Sequence, residues 1–352
     1  RTPMHRYNHG GDVYGADRPA LDFSISLNPM GPPPGVLEAA RAAVLDWNRY
    51  PDPKCRALRQ AAARRDGVPE EFLLFGNGAS DLIDRFLRAL RPRRALLPAP
   101  TFSEYRRGLE GIGCEIEEFF LDKENNFTIS ESILNAIRPG ADLVFLCDPN
   151  NPTGRRIVPE LPRALLDRCR AAGTFLAVDQ CFLELTEGDP NALVSQLTGG
   201  GLLLLRALTK SYALAGLRLG YCLCGDRALL ERMEGLGSPW PVSSPAQAAG
   251  ECAFRDFPDW PKRSLPFLRE ERARLTRALE ALSLWVCPSD ANFILFQGPT
   301  DLGERLLREK NILIRDCANY SGLGPGWYRI GIQGEVENTR LLQTLERLLS
   351  NQ

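Results

Sequence analysis

Two histidines and three methionines are all that this chain of 352 residues carries of either kind. Both histidines, His5 and His9, stand in the N-terminal arm, so a Ser-His-Asp or Cys-His hydrolase would have to draw on one of them. No Gly-x-Ser-x-Gly elbow is present to supply a nucleophile. The i, i+4 spacing of the pair suits a metal on a helix, but Asn8 and Gly10-Gly11 make that segment a poor helix. Ten cysteines are scattered singly, with no Cys-x-x-Cys and therefore no zinc ribbon. Cys222 and Cys224 are the one close pair, alternating on one face of a strand, where they read as core packing. No metal is expected, and free thiols in this number fit a reducing cytoplasm. Charge of one sign is lacking too: Lys+Arg 43 against Asp+Glu 44 leaves a net charge of -1, which argues against nucleic acid or an anionic membrane as partner. The apolar runs are strand-sized, short of the ~20 residues that cross a bilayer. The polar N-terminus carries no apolar core, so no signal peptide is expected.

What is present is an ordinary globular composition, 44% hydrophobic, in a chain long enough for two core-containing lobes. Residues 1–34 read as a turn-rich arm ending in Pro29-Met-Gly-Pro-Pro-Pro34. Helices are expected at 36–47 and 55–66, and 75–80 reads as a glycine turn. Strand patterns then recur at 95–98, 113–120, 143–147, 173–178, 202–205 and 220–224, mostly with helices between. That alternation implies an α/β fold with a mainly parallel sheet covered on both faces. A large domain over 35–242 and a smaller one over 243–352, which the arm joins, follow from the change to a long helical region near Ser243. Short strands are expected there at 291–296 and 328–332, with helices at 302–309 and 337–349.

Lys210 follows the apolar run Leu202–Leu205, with Thr209 beside it and Arg218 eight residues on. A lysine there is often just a solvated strand end. Buried, it acquires a lowered pKa and the capacity for Schiff-base chemistry, while the hydroxyl and the arginine suit a phosphate. An aldehyde that carries a phosphate and meets a lysine is pyridoxal 5'-phosphate (PLP). Asn151, in Asp148-Pro-Asn-Asn-Pro-Thr-Gly154, and Asp179 stand just past two other strands. An amide there can bond a ring oxygen, and a carboxylate can hold a pyridine nitrogen protonated, which makes the ring an electron sink. Gly76-Asn-Gly-Ala-Ser-Asp81 precedes a helical segment, where amides at the helix start bind phosphate.

These residues resemble the fold-type I PLP enzymes, in the branch of the histidinol-phosphate aminotransferases. Three further stretches are similar to the L-threonine O-3-phosphate decarboxylases of cobalamin biosynthesis: His9-Gly-Gly-Asp12, Ser26-Leu-Asn-Pro-Met-Gly31, and Ile314-Arg-Asp-Cys-Ala-Asn-Tyr320 followed by Tyr328-Arg329. The resemblance runs from His9 to about Leu345 and implies a seven-stranded sheet with Lys210 and Asp179 as catalytic groups. Gly78, Ala79, Ser80, Thr209 and Arg218 would hold the cofactor phosphate, Phe102 would stack on the pyridine, and Asn151 would bond its oxygen. Tyr50 would reach the phosphate of a neighbouring subunit, which implies a homodimer. Arg329, on a strand whose alternation reads as half-exposed, would bind the substrate α-carboxylate, with His9, Asn28 and Arg315 as further contacts to a small phosphorylated amino acid.

The sequence departs from the pattern at four places. Phe182 lacks the phenol that relatives often place near the ring oxygen, Gln180 replaces a carboxylate, Ala207 replaces a hydroxyl, and Gln333 replaces an arginine of the decarboxylases. Decarboxylation of L-threonine O-3-phosphate is the expectation. Transamination of histidinol phosphate uses the same cofactor site, and a non-catalytic PLP-binding module is the remaining alternative.

Overall fold

The structure, a computed structural model, describes residues 8–14 and 19–350; His5 lies outside them. A seven-stranded sheet runs in the spatial order Leu73–Asn77, Leu219–Cys224, Leu202–Ala207, Phe175–Asp179, Leu143–Cys147, Arg94–Ala99 and Glu115–Phe120. Six strands run in one direction and Leu219–Cys224 runs against them, antiparallel to both its neighbours. The physical origin of the sheet is plain in Leu202–Leu205. Leu202 and Leu204 enter the core on one face, and Leu203 and Leu205 the core on the other. Because side chains alternate across a strand, burial on both faces demands an unbroken apolar run. Cys222 and Cys224 join the second of these cores as free, buried thiols.

The first strand, Leu73–Asn77, corrects the expectation of a turn at 75–80. Gly76 and Gly78 disguise it, and Gly76 has a packing reason to be glycine. A Cβ there would lie 2.7 Å from the Asp81 carboxylate of the helix that follows. That helix, Ala79–Leu90, buries Leu82, Ile83, Phe86 and Leu87 on one stripe and ends at Arg91 in a left-handed conformation. The first expected helix stops sooner than 47: it spans Pro34–Ala42 and tightens into a 3-10 turn over Ala43–Asp46.

The C-terminal region carries a four-stranded antiparallel sheet in the order Arg315–Asp316, Trp327–Gly331, Phe293–Gln297 and Trp285–Val286. Helices Leu265–Ala281, Leu302–Lys310 and Glu335–Ser350 cover it, and Leu275, Leu306, Leu341 and Leu345 meet Ile294 and Ile330 in a third core. The helical stretch expected through 282 is three helices, beginning with Ser244–Asp256, which Ser243 caps by accepting a bond from the Ala246 N–H. Ala246, Ala249 and Phe254 of that first helix pack into the core of the large sheet. Leu21–Asp22 of the arm pairs in parallel with Ile312–Leu313, and the Gly331 N–H donates to the Phe23 carbonyl, which fastens the arm to the smaller sheet.

Candidate active site

Register brings the chemistry together. Cys147 lies opposite Asp179, and Asp179 opposite Leu205, so two parallel strands finish level and the third runs two residues further to Ala207. Asn151, Asp179 and Lys210 all gather at these carboxyl ends, where ligands of open α/β sheets bind. They line a cavity of about 380 Å³ with Ala79, Ser80, Phe102, Thr209, Arg218, His9, Arg315 and Arg329. Three other expected contacts are not in its wall, Gly78 among them. Asn28 is buried below it, its amide donating to the Ser211 carbonyl at 2.9 Å and accepting from the Met30 N–H. Tyr50 is 77% exposed and stacks on Trp240 with ring centres 4.3 Å apart.

Lys210 sits on the single turn Leu208–Ser211 that ends the strand Leu202–Ala207. Its pKa is lowered to about 8, first because burial disfavours the ammonium and then because Arg329 and Arg218 repel it. Asp179 is buried, and burial raises its pKa. Three donors oppose that rise, the Cys181 thiol first. The Cys181 N–H donates to Oδ1 at 2.9 Å, and the Tyr105 hydroxyl to Oδ2 at 2.6 Å.

Gly78 has φ 81° and needs to be glycine: a Cβ there would lie 2.4 Å from Nη2 of Arg218. Gly220 is constrained in the same way, by the Ala79 amide at 2.6 Å. The two glycines let the Arg218 guanidinium settle beside Ser80 Oγ, at 3.5 Å, against the amides that open the helix Ala79–Leu90. A guanidinium, a hydroxyl and unpaired helical N–H groups form an anion cradle.

Across the cavity stand two more guanidiniums. Arg315 and Arg329 are buried, directly opposite each other on paired strands; Arg329's strand is buried throughout rather than half-exposed. Arg329 donates to Asn151 Oδ1 and to the Ser24 carbonyl, while its Nε is buried without a partner. Arg315 donates to the carbonyls of Asp316 and Asn8 and to Asn319 Oδ1. Since the oxygen of Asn151 is engaged, a bond from this residue to a ligand comes from its NH2 group. His9 closes the mouth: its Nε2 lies 2.8 Å from Glu104 Oε1 and its ring 5.6 Å from that of Phe102. Burial alone would raise the Glu104 pKa, but His9 and Arg107 outweigh it and hold the carboxyl below its usual range.

Matching the family of class I and II aminotransferases, residues 18–348 account for nearly all of the chain. The chain belongs to that family. Over 336 residues it is 39% identical to the threonine-phosphate decarboxylase of Salmonella typhimurium, which covers 94% of this chain and 91% of that protein. It is 32% identical to a putative threonine-phosphate decarboxylase of Caldanaerobacter subterraneus, covering 98% and 95%. The histidinol-phosphate aminotransferase structure from Clostridium acetobutylicum superposes with TM-score 0.86 at 27% identity, covering 94% of this chain and all of that one.

Membership of the class I and II aminotransferase family makes PLP the cofactor, and the residues present fit it. The cradle at Gly78, Ser80 and Arg218 suits its phosphate, the softened amine of Lys210 its aldehyde, and Asp179 its pyridine nitrogen. The four departures from the family pattern have visible places. Gln180 accepts from Arg206 Nε at 3.1 Å, and Gln333 ties down the arm through the Asp22 carbonyl at 3.2 Å. Phe182 packs edge-on to Phe293, and Ala207 closes the buried strand beside the cavity. Sequence reasoning assigned no role to Glu104, Tyr105 or Tyr320. The first two follow Phe102 closely in the chain, but a contact with Asp179 or His9 has no local signature.

Proposed function

We propose that the chain decarboxylates L-threonine O-3-phosphate to (R)-1-amino-2-propanol O-2-phosphate and CO2. The observation that carries this reading is the pair Arg315 and Arg329 with His9 at the mouth: one cavity with cationic or hydrogen-bonding groups enough for two separate anions. Bound PLP supplies an electron sink conjugated to the substrate amine. Arg329, with its unpaired Nε, takes the α-carboxylate, and Arg315 and His9 take the phosphate. Held at both ends by Arg329 and by Arg315 with His9, the substrate would be fixed in one orientation, with its carboxylate as the group presented for cleavage. Asp179 would hold the pyridine nitrogen protonated, which is what would let the ring take up the electron pair left as CO2 departs, and Lys210 in its ammonium form would supply the proton that replaces the carboxylate on Cα.

Resemblance to the decarboxylases of Salmonella and Caldanaerobacter supports the choice, as do the arm and the Arg315–Tyr320 stretch. The rival is transamination of histidinol phosphate or a similar substrate. Purified protein incubated with L-threonine O-3-phosphate is expected to release one CO2 per product amine. Amino transfer to 2-oxoglutarate without CO2 would overturn the assignment. The working form is proposed to be a cytoplasmic homodimer. Exposed Leu45, Trp47 and Tyr50 give it an apolar face, and Tyr50 there reaches the phosphate of the second copy.

A further inference from the structure

Tyr105 is fully buried, and its hydroxyl donates to Oδ2 of Asp179 at 2.6 Å, with the Cys147 thiol beside it. Its ring lies flat on Phe145, with centres 4.1 Å apart and planes within 17°, and stands edge-on to Phe102 at 5.6 Å. One side chain therefore touches both groups expected to hold the pyridine: the ring that stacks on it and the carboxylate that meets its nitrogen.

We propose that Tyr105 is a positioning residue for PLP, fixing the rotamer of Asp179 and keeping that carboxylate anionic toward the ring nitrogen. The inference rests on the PLP reading of the site. Asp179 has two oxygens, and each already accepts a bond, from Tyr105 and from the Cys181 N–H. Two anchors on a planar carboxylate leave it no freedom to rotate, so its remaining lone pairs point one way. The titratable groups facing it are Tyr105, Cys181, Cys147 and Lys210. Burial raises the pKa of both the Tyr105 phenol and the Cys181 thiol, which keeps both neutral at working pH. The phenol is then a donor to Asp179 and never a competing anion. Removing it loosens the carboxylate and makes it more basic. A more basic Asp179 would hold the proton of a bound pyridine nitrogen more tightly, leaving less positive charge on the ring.

The test compares Tyr105→Phe with Tyr105→Leu. Phe keeps the aromatic packing and deletes only the hydroxyl, whereas Leu removes both. Titrating each apoprotein with PLP should show Tyr105→Phe binding roughly ten-fold more weakly than the parent, the loss of one hydrogen bond to a charged group. The pH titration of bound-cofactor absorbance should shift, and kcat should fall while the KM for substrate stays. The Tm of the Tyr105→Phe apoprotein should remain near the parent's, and that of Tyr105→Leu should drop. Parental PLP affinity together with an unshifted pH titration in Tyr105→Phe would overturn the proposal. So would a Tm loss in Tyr105→Phe as large as in Tyr105→Leu, since the hydroxyl would then serve the fold. Failure of the parent protein itself to take up PLP would instead overturn the cofactor reading beneath it.

Discussion

Arg315 and Arg329 are register partners on adjacent antiparallel strands, both buried, and every hydrogen bond recorded for them goes to a neutral amide or peptide oxygen. Like charges directly opposite destabilise a sheet. The arrangement is held by the cores around it and would be relieved by an anion seated between the two. Inorganic phosphate should therefore raise the Tm of the PLP-loaded protein, whose cofactor already fills the Arg218 cradle, and Arg315→Gln should abolish most of that rise. In turnover, Arg329→Lys keeps the charge but loses the fork. It is expected to raise KM by about 100-fold, in line with the cost of breaking a buried charged pair. A KM within threefold of the parent would remove Arg329 from the substrate site.

Burial and the neighbouring arginines lower the pKa of Lys210 from 10.5 to about 8, so it would react with an aldehyde as the free amine only above that pH. The rate at which apoprotein attaches PLP should rise with pH, with a midpoint near pH 8, read as growth of a visible absorbance band that borohydride fixes. Because Arg329 contributes to the lowering, Arg329→Gln should move the midpoint upward. The linkage has a definite sign. Between about pH 8 and 10.5 the unfolded chain binds the proton that the folded chain has released. Apoprotein stability should gain a contribution from Lys210 as pH rises through that window, one that denaturant melts of Lys210→Met would lack.

Gly78→Ala drives a Cβ into the Arg218 guanidinium and strains a φ of 81°. Arg218 must leave the phosphate cradle, so PLP affinity should fall by roughly ten- to a hundred-fold, the value of one charge-assisted bidentate contact. Fluorescence titration of the apoprotein measures it, and unchanged affinity would show that Arg218 does not hold the phosphate.

Asp66 tests the scaffold beneath the site. Its carboxylate accepts from Tyr221 at 2.7 Å and pairs with Arg206 at 3.2 Å and Arg65 at 3.4 Å, all of them buried or nearly so. Asp66→Asn leaves two guanidiniums short of a counter-charge and should cost about 3–5 kcal/mol in urea unfolding. A loss under 1 kcal/mol would mean that Glu184, which also pairs with Arg65, carries the network alone.

How much of this was legible beforehand differs by element. Leu143–Cys147 was readable residue for residue, since a strand buried on both faces must be continuously apolar. Leu73–Asn77 was hidden, because glycine punctuates a chain in the same way whether it makes a turn or admits a neighbouring helix. Ser244–Asp256 opened the smaller lobe by composition yet packs on the large core, a choice made by the shape of Leu58 and Leu219 around Gly250.

The amino-acid order alone determined the α/β alternation, the lysine at a strand end and the glycines before the first phosphate-facing helix, since each depends on neighbours a few residues away. Only the tertiary structure decided that Tyr105 would anchor Asp179, 74 positions on, that Arg315 would confront Arg329, and that Asn28 would spend its amide on the backbone beneath Lys210. Those pairings depend on strand register and on which lone pairs burial leaves to be satisfied. Neither quantity exists until the sheets have formed and water has gone.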